Sequence, residues 1–250
     1  MHPAVIAVVV VFAEILPGSQ PPVPAGIAGQ AASVPSSVLN SIGSGTAYAD
    51  DVSRISGAPL TAQGKPEVLF IGADFCPYCA ANQWSMLVAL SRFGTFSGVR
   101  QSFSAPRPEK YPNTATMTFY GSSYTSKYLV FSHVDSETTA RTSLQYPNPQ
   151  QLALWRKYDP GTGWPFLDIG NKYKSITGFY NTGVLRGKDQ KQIAAALSDP
   201  SSRIAKAVDG GGQRGHRGDL QGDPPAAGIG LRRAGDPGDS GKTVIARTKL

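Results

Sequence analysis

Two cysteines occur in this chain of 250 residues, and they lie in one motif, Cys76-Pro77-Tyr78-Cys79. Thiols at this spacing can exchange disulfides through a mixed-disulfide intermediate, close a small structural disulfide, or supply half of a metal site shared by two chains. A single pair excludes a disulfide-stapled mini-protein and a zinc ribbon complete within one chain. The histidines, His2, His133 and His216, are too few and too scattered for a metal cluster or a Ser-His-Asp arrangement. The motif sits between an apolar run, Val68-Leu69-Phe70-Ile71-Gly72, and a stretch of helical periodicity. At a strand-to-helix junction the first thiol faces the unpaired N–H groups and positive dipole of the helix N-terminus, which favour the thiolate. Cys76 is therefore the expected nucleophile and Cys79, one turn inside the helix, the resolving thiol, with Pro77 suited to the first turn.

The elements around the motif can be placed from pattern. The run at 68–72 reads as a strand buried on both faces. In the following helix Ala80, Trp84, Leu87 and Val88 form one stripe, and Met86, Leu90 and Phe93 an adjoining one. Segments 115–120 and 127–134 are rich in Thr, Tyr, Phe and Val and predict strands. Asn148-Pro149 opens a short helix to about Tyr158, with Asn as cap and Pro in the first turn. Pro165–Gly170 reads as a strand with Pro at its first residue, a second strand or turn follows near 173–178, and a final helix spans about 188–197.

Composition divides the chain into zones. All three Trp and every Tyr but Tyr48 fall in residues 52–202, the expected folded domain. Residues 1–16 carry an apolar run from Ala4 to Leu16, which as a helix would span roughly 20 Å, short of a hydrocarbon core of about 30 Å. It has the length of a signal-peptide core without the preceding positive charges, and predicts an export signal or membrane anchor lacking its start. Residues 17–51, rich in Pro, Gly, Ala and Ser, predict a flexible linker. Residues 203–250 contain no aromatic residue and 11 Gly, and predict a disordered tail. The tail's Gly, Arg, Ala, Pro and Asp are encoded by GC-rich codons, as an out-of-frame reading would leave. The net charge of +7 is spread along the chain with no block of five like charges, which argues against a nucleic-acid partner.

Leu69 through Ala81, with the cysteine motif at its centre, resembles the active-site segment of the thioredoxin-like superfamily, and Cys-Pro-Tyr-Cys is the form common in glutaredoxins. Segments 64–72, 76–79 and 164–173 together resemble more closely a thioredoxin-like family of unknown function from actinobacteria and archaea, often membrane-anchored. The resemblance covers roughly residues 52–202. It implies an α/β, three-layer fold with a central mixed sheet and an insertion at about 104–160. It also implies that Trp164-Pro165 is the cis-proline site beside the cysteines, where an extended substrate strand docks. Trp164 is then either an apolar wall for substrate or part of the core.

The chain departs from the thioredoxin pattern at Phe70, where that fold keeps a buried Asp six positions before the first cysteine, so a carboxylate proton acceptor is not evident. Asp74 is close in sequence but equally suited to capping the helix or facing solvent. Relatives continue with more helix and a second cysteine pair, absent here. The charged residues Glu109, Lys110, Asp135, Glu137, Arg156 and Lys157 read as solvated surface, and His133 as hydrogen-bonded structure. Gly235 through Thr243 nearly spells a phosphate-binding loop, but Asp236 stands where Gly is required. Two functions follow as expectations. One is an extracytoplasmic, cell-envelope thiol–disulfide oxidoreductase with a redox-active disulfide, no bound cofactor, and protein thiols or disulfides plus a recharging partner as its partners. The other is a tethered binding module in which the cysteines only form a clasp.

Overall fold

The apolar run at 68–72 becomes the centre of a mixed sheet because it is buried on both faces, with Val68, Leu69, Phe70 and Ile71 at most 1% exposed. The computed structural model describes residues 26–213. Within them the chain runs α1 (Ile27–Ala32), α2 (Ser36–Ile42), β1 (Ser53–Arg54), β2 (Thr61–Ala62), β3 (Lys65–Gly72) and α3 (Pro77–Leu90). Four short strands follow: β4 (Gly94–Ser97), β5 (Arg100–Phe103), β6 (Ala115–Thr118) and β7 (Ser123–Ser126). Then come β8 (Val130–Asp135), α4 (Pro149–Tyr158), β9 (Phe166–Ile169) and β10 (Tyr173–Ser175). The described residues close with a 3₁₀ turn (Thr182–Leu185), α5 (Gln190–Ala196) and α6 (Arg203–Gly212).

Strand β3 lies parallel to β8, with Phe70 opposite His133 and Gly72 opposite Asp135. On its other side it is antiparallel to β9, which pairs antiparallel with β10; β1 extends that edge, and β2 pairs with the start of β3. Alternate β3 residues face opposite layers, as the pleat requires. Leu69 and Ile71 pack with Trp155 of α4, while Val68 and Phe70 pack with Trp84 and Leu87 of α3. The protein is thus α/β with a central mixed sheet and six α-helices among the described residues. The chain between α3 and β8 supplies two antiparallel pairs, β4 with β7 and β5 with β6.

The expected strands and helices of the middle zone all form, and Asn148 and Gln151 close a reciprocal capping box on α4. Helix α3 is less amphipathic than its stripes suggest: every residue but Tyr78 is buried, because helices α1 and α6 and strand β6 also pack against it. Its polar residues are satisfied in place. Asn82 donates to the Thr177 carbonyl and accepts from Phe179 N, and Ser85 donates to the Val208 carbonyl at 2.6 Å.

Two expectations about the flanks need correction. Residues 26–51, expected as linker, carry α1 and α2, which bury Ala28, Ala31, Leu39 and Ile42. Residues 203–212, expected as disordered tail, form α6, capped by Ser202 and burying Ile204, Ala205, Ala207 and Val208. Its glycines allow close packing rather than disorder. A Cβ on Gly210 would lie 2.5 Å from the Ser44 carbonyl oxygen, and one on Gly45 2.0 Å from that of Lys206. Asp209 of this helix is fully buried, neither carboxylate oxygen has a partner, and burial pushes its pKa up to about 8. The N-terminal apolar segment 1–16, linker residues 17–25, tail residues 214–250 and the near-phosphate loop lie outside the described residues. No helix among the described residues is long and apolar enough to cross a membrane.

Candidate functional site

Strand β3 ends at Gly72, and after three intervening residues the chain turns into α3 with Cys76 as its N-cap. Cys76 holds extended backbone angles and its sulfur accepts from Cys79 N at 3.2 Å, satisfying one orphan donor of the first turn. Pro77, occupying the first helical position, removes another. Both cysteines are free thiols; Cys76 is 5% exposed and Cys79 fully buried. The two are held at different acidities. The Cys79 thiol hydrogen-bonds to Cys76 and lowers its pKa, helped by the backbone N–H groups of Cys79 and Tyr78, against the opposing effects of burial and Glu109. Burial, above all, raises Cys79 well above the ordinary thiol value, followed by that same hydrogen bond, the charge on Cys76 and, more weakly, the nearby charge of Asp135. The arrangement favours a thiolate at Cys76 and keeps the proton on Cys79.

Of the residues anticipated beside the pair, Pro77 and Tyr78 lie within the motif and Trp164 reaches Cys76 through its carbonyl. The Trp164-Pro165 peptide bond is cis. The Trp164 carbonyl lies 3.9 Å from Cys76 Sγ, within reach of a weak S–H donor. The Trp164 indole meets Phe75 edge-on at 5.3 Å and tilts against Trp155 at 6.0 Å, while its Nε1 is buried without a partner. It therefore belongs to the core and to the wall of the site at once. Tyr78, half-buried, meets Tyr111 edge-on at 5.9 Å.

A polar floor beneath the pair was not anticipated. Gly72 faces Cys79: a Cβ built on it would lie 3.6 Å from Cys79 Sγ. Its register partner on β8 is Asp135. Asp135 is fully buried rather than the solvated surface charge expected, because β8 projects it under α3 instead of outward. Its Oδ2 lies 2.9 Å from His133 Nδ1, and its Oδ1 has no partner. His133 is thus hydrogen-bonded structure, as expected. Asp74 neither caps the helix nor faces open solvent: its N–H donates to the Glu137 carbonyl, and its carboxylate accepts from Thr118 Oγ1 at 3.1 Å. Burial, then Asp135, raises its pKa to about 6 against the pull of Thr118 and Arg100. The alternation of Phe131, His133 and Asp135 along β8 was the signal available in sequence, since period two puts all three on one face.

Above the pair, Arg141 lies 3.7 Å from the Phe75 ring centroid and pairs with Glu109, which is therefore not a free surface charge. Among the described residues no group of three His, Cys, Asp or Glu side chains is placed to hold a metal ion.

Residues 51–159 match the family described as "Domain of unknown function (DUF929)", a span that includes the cysteine motif, β8 and α4 but stops short of Trp164. No curated protein and no solved structure matches the chain.

Proposed function

We propose that this chain is a thioredoxin-like thiol–disulfide oxidoreductase working on exported proteins at the cell envelope. One observation carries the reading: a Cys76 sulfur at the N-cap of a buried helix, hydrogen-bonded by Cys79, beside a cis-proline. The mixed sheet with helices on both faces supports the thioredoxin-like assignment, and the apolar N-terminal run supports export.

In the exchange the Cys76 thiolate attacks one sulfur of a partner disulfide. A Cys76–partner bond forms, the partner's own S–S bond breaks, and the electron pair leaves on its second sulfur. Cys79 then gives up its proton and attacks Cys76, releasing the partner's first sulfur as a thiolate and leaving a Cys76–Cys79 disulfide. Two electrons have passed to the partner, and a separate dithiol must return them. Run backwards, the same steps oxidise a partner. The Cys79 proton is held tightly, so its removal needs an acceptor, and Asp135 with His133 and Asp74 is the polar group at that end of the sheet. A clasp reading draws support from the burial of both sulfurs.

Replacing Cys79 with Ser tests the proposal. The variant should accumulate mixed disulfides through Cys76 with disulfide-bearing envelope proteins, and wild type equilibrated in glutathione buffers should give a reduction potential that assigns the direction of electron flow. If the Cys79→Ser variant captures no partner and Cys76 titrates no lower than a free thiol near pH 8.5, the pair is a clasp.

A further inference from the structure

Three cations stand on the aromatic rings around Cys76. The Arg141 guanidinium covers Phe75, and Lys110 and Arg186 lie 5.6 and 5.8 Å from the ring centroid of Tyr111, which itself packs on Tyr78 of the motif. All three cations are exposed. The loop segments that carry them, 106–111, 136–144 and 181–187, hold Arg107, Lys110, Arg141 and Arg186 against two acids, Glu109 and Glu137. Glu109 is already engaged by Arg141.

This placement is built into the backbone. Arg141 has a φ of 60°, a left-handed conformation unfavourable for a side chain of its size. It is held there by its own N–H donating to the Thr138 carbonyl and by the hydrogen bond between the Thr138 and Thr142 hydroxyls. Thr139 ties the same loop to the Phe103 carbonyl. Stabilising the Cys76 thiolate does not account for the cations. Hydrogen bonds lower that pKa, and the charge that bears on it, Glu109, opposes them. A ring-stacked cation still exposes its charge to solvent, and a surface with an excess of one sign concentrates ligands of the other.

We infer that the partner segment reaching Cys76 is acidic: a cysteine-bearing stretch of a protein, with carboxylates flanking the sulfur that Cys76 attacks. Those carboxylates displace Glu109 from Arg141 and meet Lys110 and Arg186. The inference rests on the exchange reading above and adds to it the chemistry of the substrate.

The test uses the full chain carrying Cys79→Ser and three synthetic peptides whose single cysteine is joined to thionitrobenzoate through a disulfide. The cysteine is flanked by aspartates, serines or lysines. Cys76 attacks the peptide sulfur, a Cys76–peptide disulfide forms, and thionitrobenzoate departs with the electron pair and is read by its absorbance. Each rate is divided by that of 2-mercaptoethanol with the same peptide, which removes differences in peptide reactivity. At low salt the aspartate peptide should react roughly 10-fold faster than the lysine peptide, with the serine peptide between. The ratio should shrink in about 0.5 M salt and in the Arg141→Gln and Lys110→Gln/Arg186→Gln variants. Equal rates, or a faster lysine peptide, overturn the inference alone; no release from any peptide overturns the exchange reading and this inference with it.

Discussion

Replacing Asp209 with Asn should stabilise the protein at neutral pH, and by an amount that depends on pH in a defined way. Asp209 is fully buried on α6 with both oxygens unpartnered, and its pKa rises from 3.8 to about 8. The folded state therefore keeps the proton at pH values where the unfolded chain has lost it. A raised carboxyl pKa contributes no penalty below about pH 4, and stability then falls as pH rises toward 8. The slope is about 1.4 kcal/mol per pH unit, so the loss between pH 4 and pH 7 reaches roughly 4 kcal/mol. Asparagine has nearly the shape of the protonated acid and does not titrate. The D209N variant should match wild type near pH 4 and exceed it by about 2–4 kcal/mol at pH 7. Urea unfolding of both proteins at half-unit steps from pH 4 to pH 8 measures this. Asp74 and Asp168, each raised to about 6, contribute slopes of the same sign in both proteins and cancel in the difference. Parallel stability curves for the two proteins would refute the reasoning, since they would mean that Asp209 is solvated or paired when folded.

Two shorter predictions concern the floor and the helix seam. Asp135→Asn removes the charge that helps to raise Asp74, so the Asp74 titration should move below its value of about 6, as followed by carboxyl carbon shifts against pH; an unmoved midpoint would mean that burial alone sets it. Gly210→Ala favours helix by about 1 kcal/mol but places a methyl 2.5 Å from the Ser44 carbonyl oxygen, and should destabilise by about 1–3 kcal/mol in chemical denaturation.

What could be read from sequence is what local rules determine. The strand before Cys76, the cap and first turn of α3, and the Asn148 box depend on residues within a few positions of one another. The cis bond before Pro165 came from resemblance, since no local feature separates it from an ordinary X-Pro. The misses have a common cause in contacts distant along the chain. Helices α1 and α2 have six and seven residues, too few turns for an apolar period to stand out. In α6 the triple glycine reads as disorder unless one knows that Ser44 and Ser85 press against it. Asp135 reads as surface charge until β8 is set beside β3, where it lies opposite Gly72 on the side of the sheet that faces Cys79.

The seam between α6 and its neighbours has a consequence in time. Ser85 of the cysteine-bearing helix donates to Val208, and Thr46 donates to the Lys206 carbonyl, so residues near both ends of the described chain close over one flank of α3. A ribosome delivers Cys76 and Cys79 more than a hundred residues before it delivers α6. Until α6 arrives, α3 lacks the wall that packs against Ser85 and Ala89. The closing of that flank is therefore a later event in synthesis than the appearance of the cysteine motif, separated from it by more than a hundred residues of chain.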